Sequence, residues 1–256
     1  SEIATAKTNQ LPAFISEDKG AGLDGIDKYI RPQRIKIVQK TSGDAYSSYD
    51  SGTLLLTPEM TVFAKNEKGG EPETFQFVPL LFFPEYLKIN PLGMDPFVAE
   101  RSLDPNSSIA KRAINPDLRT EAHPDKEGAM IKYREVLNFI VMPYPATCQF
   151  FGTPIVLSFS SSSHRDGEKL LSLLKRRRMQ GAPIYANIFE GRAQTRQNTF
   201  GTWYALDVQN PEAGEPFVGD KEVYEILKSL YDELNERREQ IVVEHEDESA
   251  ATTTEF

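Results

Sequence analysis

Cysteine is nearly absent from this chain, with Cys148 the only one. A single thiol excludes an internal disulfide and a cysteine-rich zinc site. Histidine is almost as scarce. His123, His164 and His245 fall in a loop, a turn and the C-terminal tail, without the spacing of metal ligands. Long apolar runs are missing too: nothing approaches the ~20 residues that a membrane helix needs, so no membrane role is expected. The opening residues, SEIATAKTNQLPAF, show no basic stretch followed by an apolar one, and a cytoplasmic protein is the expectation. No glycine-rich phosphate loop and no dinucleotide fingerprint after a strand can be found. Catalysis therefore has no local signature, and neither enzyme activity nor a cofactor nor a metal is expected. Only a metal-dependent nuclease, assembled from carboxylates far apart in the chain, stays open as an enzymatic alternative.

Net positive charge is lacking as well, since the chain carries -9 at pH 7. At first sight that opposes binding to nucleic acid, but the charge is unevenly placed. Residues 239–256 hold six acids and no lysine or arginine; without them 29 basic residues face 32 acidic ones, a net of -3. Between Arg165 and Arg196 the balance reverses, with eight basic residues against Asp166, Glu168 and Glu190. The local sign matters more than the total.

What is present reads as a mainly β chain with a few helices. Residues 1–30 are polar and weakly patterned, a flexible arm. Arg34 to Lys40 alternates, with Ile35 and Ile37 on one face and basic residues on the other. Short strands follow at Thr53–Leu56 and Met60–Ala64. Thr74 to Phe83 is the most apolar run, and Pro79 within it calls for an edge or a bulge because it cannot donate a ladder hydrogen bond. From about 84 to 130 prolines punctuate a polar excursion, helical only around Ser107–Ile114. Tyr133–Met142 resumes the sheet, and Ile155, Leu157 and Phe159 mark a half-buried strand. Leu170, Leu171, Leu173 and Leu174 then form the apolar stripe of a helix that Gly181-Ala182-Pro183 stops. Ile184–Glu190 and Phe200–Val208 read as two strands around a hairpin tip, GRAQTRQNT. Lys221–Arg238 is the clearest helix, capped by Asp220, and beyond Gln240 little can be buried.

Strands, one helix after Phe159, then two more strands is the rhythm of an OB-like Greek-key barrel, a fold that commonly binds oligonucleotides. The expected layout is an arm (1–30), the OB-like domain (31–219) with its long insertion, a C-terminal helix (220–239) and a disordered acidic tail (240–256).

Single-stranded nucleic acid needs cations along its backbone and flat side chains for its bases. Lys175, Arg176, Arg177 and Arg178 end the first long helix, where one or two cations suffice to complement the helix dipole. Arg165 stands near its start. Arg192 and Arg196 flank the hairpin, and Arg34 and Lys36 lie on the first strand. Tyr185 shares a face with Asn187 and Phe189. Trp203 sides with Ala205 and Asp207 and Tyr204 with Leu206 and Val208, so Trp203 is the better stacking platform. These eleven residues, Tyr204 aside, are the candidate nucleic-acid contacts.

Three stretches resemble bacteriophage-type single-stranded-DNA-binding proteins: RPQRIKIVQKTSGD at Arg31–Asp44 leading into GTLLLTPEM, the hairpin from Pro183 to Pro211, and a helix running into an acidic tail that ends in Phe256. The resemblance implies an OB-type core, cooperative coating of single-stranded DNA in replication or recombination, and no catalysis. It also implies that tail residues Glu246, Asp247, Glu248, Glu255 and Phe256 recruit replication or recombination proteins, and a setting in the bacterial host cytoplasm. A homo-oligomer is left open. The non-enzymatic alternative is a structural or assembly protein of a virion without DNA affinity.

Overall fold

The computed structural model describes residues 32–66, 72–91, 93–199, 201–241 and 243. The expected arm and the acidic tail residues 244–256, with Glu246, Asp247, Glu248, Glu255 and Phe256, lie outside them. Within the described residues the chain is mainly β. The elements run β1 (Gln33–Ile37), β2 (Leu54–Thr57), β3 (Thr61–Ala64), β4 (Thr74–Ile89), β5 (Val98–Ser102), α1 (Ser108–Ile114), β6 (Thr120–Ala122), β7 (Met130–Tyr144), β8 (Ile155–Ser160), α2 (His164–Met179), β9 (Phe189–Asn198), β10 (Gly201–Gln209) and α3 (Lys221–Glu236).

The strands form one curled sheet in the order β10-β9-β4-β7-β8-β1-β2-β3. Five of them, taken in chain order as β4, β7, β8, β9 and β10, pair as fifth-fourth-first-second-third, and α2 joins the third to the fourth. That is the OB-type arrangement. β1 adds to β8 in parallel, on the side where the barrel would close. Just beyond β1 the Gln39 side chain stands in for a strand. Its Nε2 donates to the Tyr204 carbonyl at 2.9 Å, and its Oε1 accepts from the Tyr204 N–H at 2.9 Å. Gly52 lets the next loop approach: its φ is +90° and a Cβ there would stand 2.8 Å from the Tyr204 ring.

Alternation explains the core, and a bulge explains where it changes. Phe75 and Phe77 of β4 point into the barrel with Leu137, Phe139, Leu157, Phe159, Phe189, Leu206 and Val208. The register shifts between Pro79 and Leu81, so the next inward residue is Phe82, while Leu81 and Phe83 turn outward. The bulge also accommodates the proline that a regular ladder would reject. Leu170 on α2 plugs the barrel. Gly167 allows that close approach, since a Cβ there would meet Phe159 Cβ at 2.8 Å.

The outer face of β4 and β7 is covered by α3. Asp220 Oδ1 accepts from Glu222 N at 2.8 Å and Val223 N at 3.1 Å, starting the helix as expected. Val223 and Leu227 then pack on Val78, Leu80, Met142 and Ile188, each worth about 1.5–3 kcal/mol if fully buried. Val243 continues this cover over Leu81, Phe83, Ile140 and Val156.

Three expectations change. Ile184–Ala186 is a 3-10 turn, not the start of a strand; Asn187 Nδ2 donates to the carbonyls of Pro183 and Ile184 at 2.6 and 3.1 Å and holds it closed. And the GRAQTRQNT stretch, expected as a hairpin tip, is strand as far as Asn198, paired residue by residue with β10. The excursion from the barrel is also shorter than expected, because β4 runs to Ile89 and β7 starts at Met130.

Candidate nucleic-acid interface

Helix α2 carries the candidate cations that are exposed, Arg165, Lys175, Arg176 and Arg178. Successive helical residues turn by about 100°, so four cations in a row cannot share one side. Lys175, Arg176 and Arg178 are exposed. Arg177 faces the barrel: its guanidinium lies 4.6 Å from the centre of the Phe217 ring and bonds Asn210 Oδ1 at 2.8 Å. Arg165 is exposed at the other end of the helix, so the cations are strung along an element about 24 Å long.

The β9–β10 pair presents the expected outer face, with Trp203 opposite Arg196 and Asp207 opposite Arg192. That face is only partly open. Arg196 Nη2 contacts Asp166 of α2 at 2.9 Å and Asp207 at 3.8 Å, and Lys169 Nζ holds Asp207 at 2.8 Å. Burial pushes the Asp166 carboxyl above its usual range, against the pull of Arg196. Arg196 therefore joins the helix to the barrel as well as lining it. Trp203 is half-buried, and its indole N–H is buried with no hydrogen-bond partner among the described residues. Arg192 lies 3.6 Å from Glu212, an exposed and weak pair.

The remaining candidates sit elsewhere. Arg34 and Lys36 are on one face of β1, opposite buried Ile35. Lys36 Nζ stands 4.3 Å above the Tyr46 ring and donates to the Tyr46 hydroxyl at 2.7 Å, where the lysine steadies the loop that follows β1. Tyr185 is drawn under α3, with its ring centre 5.4 Å from Tyr224 and 5.0 Å from Tyr231. A hydrogen bond with Tyr224, then burial, pushes its hydroxyl up to about 12. Its half-buried ring thus packs on the C-terminal helix.

Sequence reading passed over Lys132, Arg134 and His164, which the fold brings beside Arg119 and Arg165 around one cleft. The only local signal is the alternation of Lys132 and Arg134 on β7. The rest comes from segments over forty residues apart. Among the described residues no three His, Cys, Asp or Glu side chains gather as metal ligands, and no helix is long and apolar enough to cross a membrane.

A family model described as Pam3 phage gp34-like protein matches residues 5–240. No curated protein and no solved structure matches the chain.

Proposed function

This chain belongs to the Pam3 phage gp34-like protein family, and from that premise we propose that it binds single-stranded DNA without catalysis, coating and protecting it in phage replication or recombination. The observation that carries this reading is an OB-type strand order whose connecting helix turns Arg165, Lys175, Arg176 and Arg178 outward. Oligonucleotide binding is a common use of that barrel. A file of cations follows phosphates without reading sequence, so binding is sequence-tolerant and falls with salt. Trp203 and Arg196, side by side on β9 and β10, add a flat surface next to that track.

The test is a mobility shift with a labelled oligo-dT of about 30 nucleotides, several OB-fold site lengths, beside a duplex of equal length, with and without magnesium. The expected result is retention of the single strand at or below about 10 µM protein in low salt, weaker retention of the duplex, and no cleavage. No retention returns the chain to a virion component; degradation with magnesium makes it a nuclease.

The acidic tail is the second part of the proposal: it recruits replication or recombination proteins and competes with DNA for the cations. Because Val243 is buried against the barrel, the informative truncation begins at Glu244. Removing residues 244–256 is expected to tighten oligo-dT binding at low salt, with the gain fading as salt screens the tail. Unchanged affinity at low salt would show that the tail does not reach the cations.

A further inference from the structure

The outward faces of α2 and α3 carry opposite charge, each around one exposed apolar residue. Helical residues advance by about 100°, so Arg165, Glu168, Ser172, Lys175, Arg176 and Met179 share the arc of α2 turned away from Leu170 and Arg177, and all six are exposed. Met179 is 83% exposed, one turn beyond Lys175 and Arg176 and next to Arg178. Those three cations have no ion-pair partner among the described residues. Glu168 is the one acid of the arc, 3.8 Å from His164 Nδ1. On α3 the same geometry puts Glu222, Glu225, Ile226, Ser229, Glu233 and Glu236 on the arc turned away from Leu227 and Leu234, again all exposed, with Ile226 at 47%. Lys221, Lys228 and Arg237 fall outside that arc, Lys228 beside Asp232 at 3.1 Å and Arg237 beside Glu233 at 3.5 Å. From Arg165 to Met179 and from Glu222 to Glu236 the two stripes have the same length, about 21 Å at 1.5 Å per residue.

We propose that the outward face of α2 in one copy docks on the outward face of α3 in a second copy, so that the chain is its own partner. A single exposed apolar side chain is ordinary on a protein surface. Two of them, set in fields of opposite sign on stripes of equal length, point to each other. Burying Met179 and Ile226 together removes both from water, and the opposed charges steer the approach and set the register. The same charges select against the alternatives, since α2 on α2 or α3 on α3 would bring like charges face to face. Within one copy both faces are open, so neither covers the other. A contact between two different faces closes as a pair if one side of the molecule presents both, and otherwise continues as a chain. A contact of this size and polarity is weak and salt-sensitive. It stands apart from the function proposed above, with one consequence for it: a strand and a second copy use the same cations of α2 and exclude each other there.

Sedimentation velocity of the full chain, freed of nucleic acid by nuclease treatment, tests this. Wild-type protein is expected to associate at low salt with a Kd between about 10 µM and 1 mM, and the association should fade as salt is raised. Lys175→Glu/Arg176→Glu/Arg178→Glu makes both faces acidic, and Glu222→Lys/Glu225→Lys/Glu236→Lys makes both basic. Each set alone should abolish association, and mixing the two variants, or joining both sets in one chain, should restore it. Ile226→Ser moves no charge and should weaken association about fivefold or more, a readout that survives if a triple variant misfolds. Monomers at every concentration, or association untouched by either reversal, overturn the contact. Failure of the mixture and of the doubly reversed chain to associate overturns the pairing of α2 with α3. A chain lacking residues 244–256 should associate as wild type does; loss of association there overturns α3 as the partner in favour of the acidic tail. Association by a protein that binds no oligo-dT supports the contact and overturns only the function proposed above.

Discussion

Reversing Lys175→Glu, Arg176→Glu and Arg178→Glu together is expected to weaken oligo-dT binding by about 100-fold at low salt and to flatten the salt dependence by about two units of slope, the share of three neutralised phosphates on a single strand. The three side chains are exposed on α2, so reversing them removes attraction without opening the core. Glutamates at a helix C-terminus oppose the dipole, at about 0.3–1 kcal/mol each. That lowers the melting temperature by a few degrees and leaves the protein folded during the assay. Arg177 supplies the control. It rests on Phe217 and bonds Asn210, so Arg177→Gln is expected to lower stability by about 0.5–2 kcal/mol and leave the salt slope unchanged. A structural role for the whole basic run would move melting temperature in both variants and the slope in neither. Unchanged affinity in the triple variant would remove α2 from the DNA surface.

That contrast also marks what could be read from the sequence. Period-two alternation placed Trp203 on the outer face and Leu206 and Val208 in the core, as the structure has them, because side-chain direction in a strand is a local property. The same holds for α3 and its Asp220 cap. Where a distant segment decides, the pattern was silent. The bulge at Pro79–Leu81 changes which residues of β4 face inward, and only the pairing with β7 reveals it. Tyr185 reads from sequence as a candidate base contact, and only the fold shows that α3, about forty residues later, packs on its ring. Gln39 is one amide in a polar stretch until Tyr204, 165 residues on, is laid against it. The cationic run was legible as charge; that Arg177 belongs to the fold and its neighbours to the surface depends on where Phe217 lies. The cleft at Arg119 and Arg165 is assembled wholly from such distant pairings.

The largest stability effect is expected where a charge is buried in the outer face of the barrel. Glu85 of β4 is fully buried; its Oε1 pairs with Arg101 Nε of β5 at 2.8 Å, and Asn138 Nδ2 of β7 donates to its Oε2 at 3.1 Å. Ser158 Oγ of β8 donates to Asn138 Oδ1 at 2.7 Å, and Arg101 Nη2 donates to the Ile241 carbonyl at 3.2 Å. One network thus ties three barrel strands to β5 and to the segment after α3. The two ends of the ion pair are unequal, with 31% of the Arg101 side chain exposed and none of Glu85. Removing the acid leaves an arginine that water can reach, whereas removing the arginine leaves a carboxylate that water cannot. Arg101→Ala is therefore expected to cost about 3–5 kcal/mol, the usual penalty for removing one partner of a buried ion pair, and more than Glu85→Gln. Urea unfolding measures it as a lower midpoint at unchanged slope. Adding Glu85→Gln to Arg101→Ala should recover much of the loss, because an amide in that place needs a hydrogen bond but no counter-charge. If the double variant is no more stable than Arg101→Ala alone, the missing hydrogen bond to the Ile241 carbonyl sets the cost, and the network holds the C-terminal segment rather than the charge.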